Sequence, residues 1–272
     1  MNSHLGKKTV TWGGYRILAC VLLAVVGLVG CSNTDQGISR RDHAAELQTE
    51  VARRMAREIE LVITGYAREL ELLTQVSGFG DLPEAEQRLM LSELLSFDPA
   101  FDELWLLDDS GQEVIRLSRQ EIVPDSDLQD RSNQPEFTRV IEMEDTYFGP
   151  VIFDPSTGEP LMAISVPIVD MRVGQIAYVL VGQFQFRTTW EIIHAQTLSQ
   201  GQDLYLVDGN SRIVAHTNPS VMLADTRFET QDIGTVTTGL NGDQVVIGLA
   251  HFMVGEQEFT MIAELETAVV DK

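Results

Sequence analysis

The stretch Leu104–Asp108 reads LWLLD, and one hundred residues later Leu204–Asp208 reads LYLVD. In both stretches an aromatic residue alternates with aliphatic ones, a period of two that is typical of β-strands. Each stretch ends at an aspartate that opens a polar turn, and the turns lead into Glu113–Leu117 and Ile213–His216. Turn residues between two such runs predict a β-hairpin. The chain therefore contains two copies of one sheet unit.

Each copy closes with a second pair of predicted strands. These are Leu161–Pro167 with Gln175–Phe186 in the first copy, and Gln244–His251 with Glu258–Leu265 in the second. A long insert separates the hairpin from the strand pair, and it is longer in the first copy. Long loops inside compact domains usually carry function. The pattern predicts an α+β protein with two antiparallel sheet modules.

A long helix is predicted from Ser39 to Val76. Ser39 with Asp42 would cap its start, and the glycines after Ser77 would end it. At 1.5 Å per residue it would span roughly 57 Å, so we expect both modules to pack against it. Its apolar residues recur every three or four positions and form one stripe: Leu47, Val51, Met55, Ile59, Val62, Tyr66, Leu70 and Leu73.

The N-terminus predicts export and lipidation. Lys7, Lys8 and Arg16 precede an apolar run, Ile17–Gly30, which is shorter than the roughly 20 residues of a membrane span and is typical of a secretory signal peptide. The run ends at Cys31, and this junction resembles the bacterial lipoprotein signal. On that resemblance Cys31 is lipidated and anchors the chain to the cell membrane or outer membrane, on the periplasmic face. The alternative is a short signal anchor with a passive cysteine.

The domain organisation follows from these patterns. Shorter helices are predicted at Pro83–Leu95, with Asp81 as the cap, and at Thr188–Leu198. Four segments result: a signal peptide at 1–30, an anchor and spine helix at 31–78, a membrane-distal module at 79–190 and a membrane-proximal module at 191–272.

Charge and motifs exclude several classes of function. The chain has 41 acidic and 19 basic residues and a net charge of −22 at pH 7, so nucleic-acid binding, which needs a basic face, is excluded. Nucleophile-elbow, zinc-protease and phosphate-loop motifs do not occur in the sequence. Its histidines, cysteines and acids do not have metal-ligand spacing. We therefore predict neither an enzyme nor a cofactor or metal site.

Several short motifs follow one another along the chain: Asp130-Arg131-Ser132 with Pro135 and Phe137, Tyr147–Val151, Thr157–Met162, Val166–Ile168, Leu204–Asp208, Ile213–His216 and Asn218-Pro219. Their order over about residues 40–266 resembles the double Cache family of extracytoplasmic sensor domains. The resemblance implies tandem PAS-like modules, with a small molecule bound in the distal module at about residues 79–187, between the sheet and the long insert. Amino-acid-binding members carry an Arg-Trp pair that this chain lacks, so binding through that motif is not predicted.

Seven residues are candidates for ligand contact: Trp105, Arg116, Arg131, Phe137, Tyr147, Asp154 and Asp170. An arginine could form two parallel hydrogen bonds with a ligand carboxylate, an aromatic ring could stack on the ligand, and an aspartate could bind an amine. The alternatives are ion pairs of the arginines with Asp108, Asp130 or Glu136, core packing of the aromatic rings, and turn formation by the two aspartates.

The leading hypothesis is an extracytoplasmic sensor lipoprotein that binds a small molecule. Family members usually continue into a membrane helix and an output domain, whereas this sequence stops at Lys272. We therefore expect the signal to pass through a membrane partner protein. One alternative is a structural or partner-binding lipoprotein without a small ligand. Another is the input part of a longer histidine kinase, cyclase or chemoreceptor.

Overall fold

A computed structural model describes the backbone of five segments of the chain: residues 15–76, 78–196, 198–223, 226–228 and 235–272. In the first helix the described side chains run from Arg40 to Gln75. Residues 1–14 of the predicted signal peptide, and the side chain of Cys31, lie outside the described part, so the lipid anchor stays a prediction. Within the described residues, no helix holds a stretch long and apolar enough to cross a membrane.

Six α-helices occur in the described segments: α1 (Tyr15–Val76), α2 (Glu84–Phe97), α3 (Pro135–Met143), α4 (Arg187–His194), α5 (Pro219–Leu223) and α6 (Thr267–Val270). Two short 3-10 helices occupy Phe79–Asp81 and Asp125–Asp127. The predicted C-terminal end of the long helix, Val76, agrees with α1, whereas its predicted start at Ser39 is wrong, because α1 begins at Tyr15. Both predicted ends of the helix at Pro83 agree with α2 to within two residues, and α4 ends four residues before the predicted Leu198.

Two predicted helix caps are wrong. The backbone is already helical upstream of Ser39, so Ser39 and Asp42 lie inside α1 and cap no helix start. Asp81 belongs to the preceding 3-10 helix, and Pro83 holds the N-cap position of α2. A side chain can cap a helix only when the helix starts directly after that residue. No helix starts directly after Ser39, and Pro83 separates Asp81 from the start of α2.

Two antiparallel sheets follow α2, as predicted. The first has the order β2-β1-β6-β5-β3, with β4 also paired to β5, and the second has the order β8-β7-β11-β10-β9. The first sheet contains β1 (Phe101–Asp108), β2 (Glu113–Ser118), β3 (Tyr147–Phe148), β4 (Ile152–Phe153), β5 (Pro160–Asp170) and β6 (Gln175–Gln185). The second contains β7 (Gln202–Asp208), β8 (Ile213–His216), β9 (Val236–Thr238), β10 (Gln244–Val254) and β11 (Gln257–Glu266). All eight predicted strands are present. Helix α4 follows the last strand of the first sheet in the sequence and precedes the first strand of the second sheet. The module boundaries near 79 and 190 stay predictions.

The duplication extends to atomic detail in the hairpins. The Asp108 carboxylate accepts the backbone N–H groups of Ser110 at 2.9 Å and Gln112 at 3.0 Å. Asp208 accepts the equivalent N–H groups two and four residues later, both at 2.9 Å. The register also shifts by a bulge after the third residue of each echoed stretch. Gly111 and Ser211, again one hundred residues apart, both have positive φ, 86° and 61°. The two similar stretches of sequence therefore form the same type of hairpin turn.

Helix α1 packs against both sheets, as predicted, but its buried face is rotated from the predicted stripe. Leu47 is 53% exposed, so its place in the stripe is wrong. A Cβ on Gly248 of β10 would lie 2.7 Å from the Gln48 carbonyl oxygen and still closer to the Thr49 nitrogen. Such a close approach favours small helix residues that the apolar pattern undervalues. The core positions of α1 are Ala52, Met55, Ala56, Ile59, Ile63, Ala67 and Leu70.

A chain of aromatic rings connects the two modules through the core. Tyr66 of α1 contacts Phe184, and Phe184 contacts Phe186, both with ring centroids 5.5 Å apart. Phe186 then meets Phe259 of the second sheet at 5.8 Å, and Phe259 stacks on Phe252 at 5.5 Å. Pairs in this range add attraction beyond their buried area. The helix and both sheets therefore share one hydrophobic core.

Candidate ligand-binding site

Five side chains form a continuous row across one face of the first sheet. The register pairs Tyr147 with Ser165, Ser165 with Val181, Val181 with Trp105, and Trp105 with Arg116. Residues directly opposite each other in antiparallel strands are neighbours on the same face. The row faces away from α1 and is covered by the long insert. We call the space between this row and the covering segment 119–143 the recess.

Helix α3 covers the middle of the recess. Pro135 stands at its first turn, where a missing N–H costs nothing, and Phe137 and Val140 lie one turn apart on the side that faces the sheet. The apolar part of the recess is closed by seven mutually packed, buried side chains: Trp105, Leu107, Phe137, Val140, Tyr147, Val179 and Val181. Core packing, the alternative for the aromatic candidates, is confirmed for Trp105, Phe137 and Tyr147.

Arg131 enters the recess from the insert and stacks on Trp105. Its guanidinium carbon lies 3.8 Å from the centroid of the indole ring. Its Nε donates to Glu113 Oε1 at 2.6 Å, and the Glu113 side chain is fully buried. Glu113 also accepts the backbone N–H of Gln129 at 3.0 Å. Since a buried carboxylate requires a charged or hydrogen-bonding partner, this ion pair fixes the position of Arg131.

Arg116 is paired in the same way with Glu103. Its Nε donates to Glu103 Oε2 at 3.1 Å, and its Nη2 lies 3.0 Å from the same oxygen. The Trp105 indole N–H donates to that oxygen as well, at 2.8 Å. Both predicted ligand-binding arginines thus form ion pairs with glutamates of the first sheet.

The ion-pair alternative for the two arginines is confirmed, but the partners that it named are wrong. Asp108 accepts backbone groups of its own turn. Asp130 accepts the N–H of Ser132 at 2.9 Å, and the hydrogen bonds from Ser132 lower the pKa of Asp130. The bulge after Leu106 pairs Glu113 with Leu107 and so turns Glu113 towards the recess. Sequence alone does not reveal such a bulge.

The two predicted aspartates lie in turns and are not part of the row. Asp154 accepts the hydroxyl of Ser156 at 2.5 Å and the backbone N–H of Thr157 at 2.8 Å, and these bonds lower its pKa. Asp170 accepts Arg172 Nε at 3.1 Å, which lowers the pKa of Asp170. Their turn role, the alternative weighed for them, is what the structure shows.

Two buried polar atoms in the recess have no hydrogen-bond partner among the described residues: Glu136 Oε2 and Ser165 Oγ. Ser165 is completely buried and lies opposite Tyr147 in the register. Burial raises the pKa of Tyr147, and the negative charges of Glu136 and Glu256 raise it further, whereas the positive charge of Arg139 lowers it. Sequence reasoning missed both atoms, because a serine in a strand and a glutamate in a helix carry no distinctive pattern.

A separate cavity of about 850 Å³ lies where α1 ends, beside the turns of the β1–β2 and β5–β6 hairpins. Its lining includes Asp81, Asp108, Asp170, Arg172 and Tyr178. Arg172 bridges two of these acids, because its Nη2 donates to Asp81 at 2.6 Å and its Nε to Asp170. Asp81, Asp108 and Asp170 therefore already have partners within the chain.

Comparison with known proteins agrees with this architecture. The family model described as Cache domain matches residues 38–271, which cover both sheets and the described side chains of α1. The chain belongs to the Cache domain family. A comparison with curated proteins by sequence gives no significant match.

Solved structures with the same fold are ligand-binding domains of bacterial chemoreceptors. The domain of the Pseudomonas aeruginosa amino acid chemoreceptor PctC in complex with GABA is 18% identical, with a TM-score of 0.61, and the match covers 83% of this chain and 99% of that one. That of Pseudomonas fluorescens CtaA with L-isoleucine is 14% identical, with a TM-score of 0.63 and coverages of 86% and 97%. That of Campylobacter jejuni Tlp3 with L-valine is 13% identical, with a TM-score of 0.61 and coverages of 87% and 98%.

In this Cache domain the cover of the recess touches the second module directly. Arg139 of α3 donates to Glu256 in the β10–β11 turn at 2.6 Å. Gln257 Nε2 donates to the Phe148 carbonyl of β3 at 3.1 Å. A Cβ on Gly255 would lie 2.8 Å from the Phe148 ring. Because β10 also packs on α1, a displacement of α3 or β3 has a contact route to the spine helix.

The second module of the Cache domain holds a buried polar cluster on the equivalent sheet face. The Tyr205 hydroxyl donates to Glu264, and burial raises the pKa of both groups. His216 Nδ1 accepts the N–H of Asn218 at 2.8 Å, and Nε2 lies 3.1 Å from Asp203 Oδ2. The accepting Nδ1 places the proton of a neutral His216 on Nε2, which then donates to Asp203.

Proposed function

We propose that this chain is an extracytoplasmic sensor that binds a small molecule in the recess of its first module and acts through a partner protein. It is anchored by a lipid on Cys31 at the periplasmic face of a membrane and works by binding rather than by catalysis. The recess row, with its aromatic and charged side chains under a helical cover, is the observation that carries this proposal.

Three further observations support a small ligand. The family consists of Cache domains, and the structural relatives named above were solved with GABA, L-isoleucine and L-valine, all molecules of modest size. The cover of the recess contacts the second module, so occupancy has a way to be transmitted. We assign ligand contact to Trp105, Arg116, Arg131, Phe137 and Tyr147. Asp154 and Asp170 lie in turns outside the row, and we assign no ligand contact to them.

A thermal-shift screen tests the proposal. Organic acids, amines and nucleobases are added to the purified protein. A compound that binds the folded state increases the free energy of unfolding by RT ln(1 + [L]/Kd), and the midpoint of thermal unfolding rises as a result. We expect a stabilising compound whose effect is lost in Trp105→Leu and kept in the control Asp170→Asn, which changes the separate cavity. A broad screen without a stabilising compound, or an effect that only Asp170→Asn removes, contradicts the proposal.

The lipid anchor is tested separately in cells. The basic start, the short apolar run and Gly30-Cys31 support it, and each buried CH₂ of an acyl chain adds about 0.8 kcal/mol of membrane affinity. Labelled palmitate should be incorporated into the wild-type chain and not into Cys31→Ser, while Cys20→Ser is labelled normally. Equal labelling of Cys31→Ser contradicts the assignment.

A second candidate function is partner binding without a small ligand. The seven packed side chains that close the apolar part of the recess favour it. In that case the chain co-purifies with a membrane protein whether or not small molecules are present. A compound that stabilises the wild type and not Trp105→Leu rules this candidate out.

A further inference from the structure

We propose that the second module is itself a sensor of acidity, in which Glu264 and Asp203 bind one proton between them as the pH outside the cytoplasm falls. This gives the chain a second input beyond the ligand of the recess, and it does not depend on that ligand.

The two carboxylates stand opposite each other on neighbouring strands of the second sheet. The register pairs Glu264 of β11 with Asp203 of β7, and like charges directly opposite each other destabilise an antiparallel pair. Glu264 is 3% exposed, and the Asp203 side chain is 19% exposed. Neither carboxylate has a lysine or arginine partner among the described residues. When two carboxylates share such a site, one of them keeps its proton to a higher pH.

No permanent cation faces this pair from the described part of the surrounding elements. A small cavity of about 80 Å³ beside the pair is lined by two further acids, Asp243 of the β9–β10 turn and Glu266 of β11. His216 of β8 is the basic group of the cluster, and its Nε2 lies 3.1 Å from Asp203 Oδ2. The side chains that α4, α5, β10 and the segment at 228 pack on this face are uncharged: Trp190, Val221, Met222, Phe228, Ile247 and Leu249.

The proton affinity of Glu264 agrees with this arrangement. Burial raises the pKa of Glu264 most, and the negative charge of Asp203 raises it further. Hydrogen bonds from the Tyr205 hydroxyl and the Leu240 N–H lower the pKa of Glu264, as does the neighbouring His216. The net direction is upwards, because burial outweighs these interactions. Glu264 therefore binds its proton at a pH above the usual range of a glutamate.

The duplication supplies an internal reference for this site. In the first sheet the register pairs Glu103 with Gln183, at the positions that Asp203 and Glu264 occupy in the second sheet. A carboxylate there stands opposite a neutral amide, which does not titrate. The second module thus has a titratable acid where the first module has an amide.

The basic partner differs between the modules in the same sense. Arg116 stands opposite Trp105, as His216 stands opposite Tyr205, and each binds the acid of its own module. Arginine keeps its charge at every physiological pH, whereas histidine is the side chain that changes its charge near neutrality. One site of the duplicated fold is therefore built from permanent groups, and the other is built from titratable ones.

A direct contact connects the proton site to the spine helix. Gln202, the residue before Asp203, lines the same small cavity, and its Nε2 donates to Gln48 Oε1 of α1 at 3.0 Å. Gln48 is buried, and its backbone lies against Gly248 of β10. A shift of β7 on proton binding therefore acts on α1 at a point where the helix is tightly packed.

The first experiment follows the proton itself. The carboxyl carbon of Glu264 is observed by NMR in the full-length protein labelled with ¹³C-glutamate, between about pH 8 and pH 4, and is assigned as the resonance that Glu264→Gln lacks. We expect it to titrate at a higher pH than the exposed glutamates. Asp203→Asn removes the neighbouring negative charge and should lower the midpoint. The matched control Glu258→Gln, which removes an exposed acid of the same strand, should leave the midpoint unchanged.

The second experiment asks whether the proton is felt by α1. Hydrogen–deuterium exchange is compared between the wild type and Glu264→Gln, whose amide stands for the neutral acid, at the same pH in each comparison. We expect exchange around Gln48 and in β7 to differ at neutral pH and to become equal below the midpoint of Glu264. A purely structural effect of the amide would persist at both pH values.

Four results overturn the inference. They are titration of Glu264 together with the exposed glutamates, a midpoint that Asp203→Asn does not lower, equal exchange in α1 at neutral pH, and a difference in exchange that persists at acidic pH. If Glu264→Gln does not fold, the resonance is assigned through contacts of its side-chain protons with Tyr205, and Asp203→Asn decides the test. Failure of this inference leaves the ligand site of the first module standing, and failure of the broad screen leaves this inference standing.

Discussion

Replacing Gly248 by alanine tests whether the second sheet rests on the spine helix as closely as the structure shows. The new Cβ would lie 2.7 Å from the Gln48 carbonyl oxygen and closer still to the Thr49 nitrogen. These are backbone atoms inside a helix, so no side chain can rotate to make room. The helix and β10 must separate, which opens gaps around Ala52 and Ala250 on either side.

The size of the effect follows from this geometry. Overpacking a core costs about 1–3 kcal/mol, and contact with the helix backbone, which cannot rotate away, puts Gly248→Ala at about 3 kcal/mol. For a chain of this size 1 kcal/mol corresponds to roughly 2–4 °C, so the midpoint of thermal unfolding should fall by about 6–12 °C.

Gly65→Ala is the matched control. Gly65 lies on the exposed side of α1, and a Cβ there meets nothing within 4 Å. Alanine in a helix interior is about 0.5–1 kcal/mol more stable than glycine, so the same chemical change should raise the midpoint slightly. Unfolding of both variants is followed by circular dichroism at 222 nm, where helices give a strong signal, as the temperature rises. An unchanged or higher midpoint for Gly248→Ala refutes the close packing of β10 on α1.

Three further predictions concern the charged groups. Arg131→Leu leaves Glu113 buried without its cation and should cost about 3–5 kcal/mol in urea unfolding, and adding Glu113→Gln should recover part of the loss; a loss below about 1 kcal/mol contradicts the buried pair. Burial raises the pKa of Glu264, so the folded state binds the carboxyl proton more tightly than the unfolded state does. The free energy of unfolding of the wild type, relative to that of Glu264→Gln, should therefore increase as the pH falls from 7 towards the usual pKa of the carboxyl. A difference in free energy between the two proteins that stays constant with pH contradicts this prediction. Arg139→Ala removes an exposed pair with Glu256 and should change the free energy of unfolding by less than about 1 kcal/mol, and a larger loss would mean that this contact holds the modules together.

The sheets and the spine helix could be predicted because their signals are local. A period of two and an aspartate turn identify each hairpin, and the turn repeats down to the hydrogen bonds of Asp108 and Asp208. The end of α1 at Val76 also follows from the glycines after it. The placement of Leu47 failed because contact between a helix and a sheet at close range selects alanine and glycine, which hydrophobicity ranks low.

The site was harder to predict, because it depends on register and on a bulge. Trp105, Tyr147 and Arg116 fall in one row only through the pairing of strands that are far apart in sequence. Glu113 became the partner of Arg131 because the bulge reorients it. Helix α3 was not predicted, although Pro135 followed by apolar residues three and four positions apart is a usable signal for a short helix.

Hydrogen–deuterium exchange tests the central claim most directly. The full-length protein is labelled with and without the stabilising compound found in the screen, and exchange is followed along the described segments. The account predicts slower exchange in α3 and in β3, the cover and edge of the recess. Protection confined to the separate cavity around Asp81 and Arg172, or to the second sheet, would contradict it.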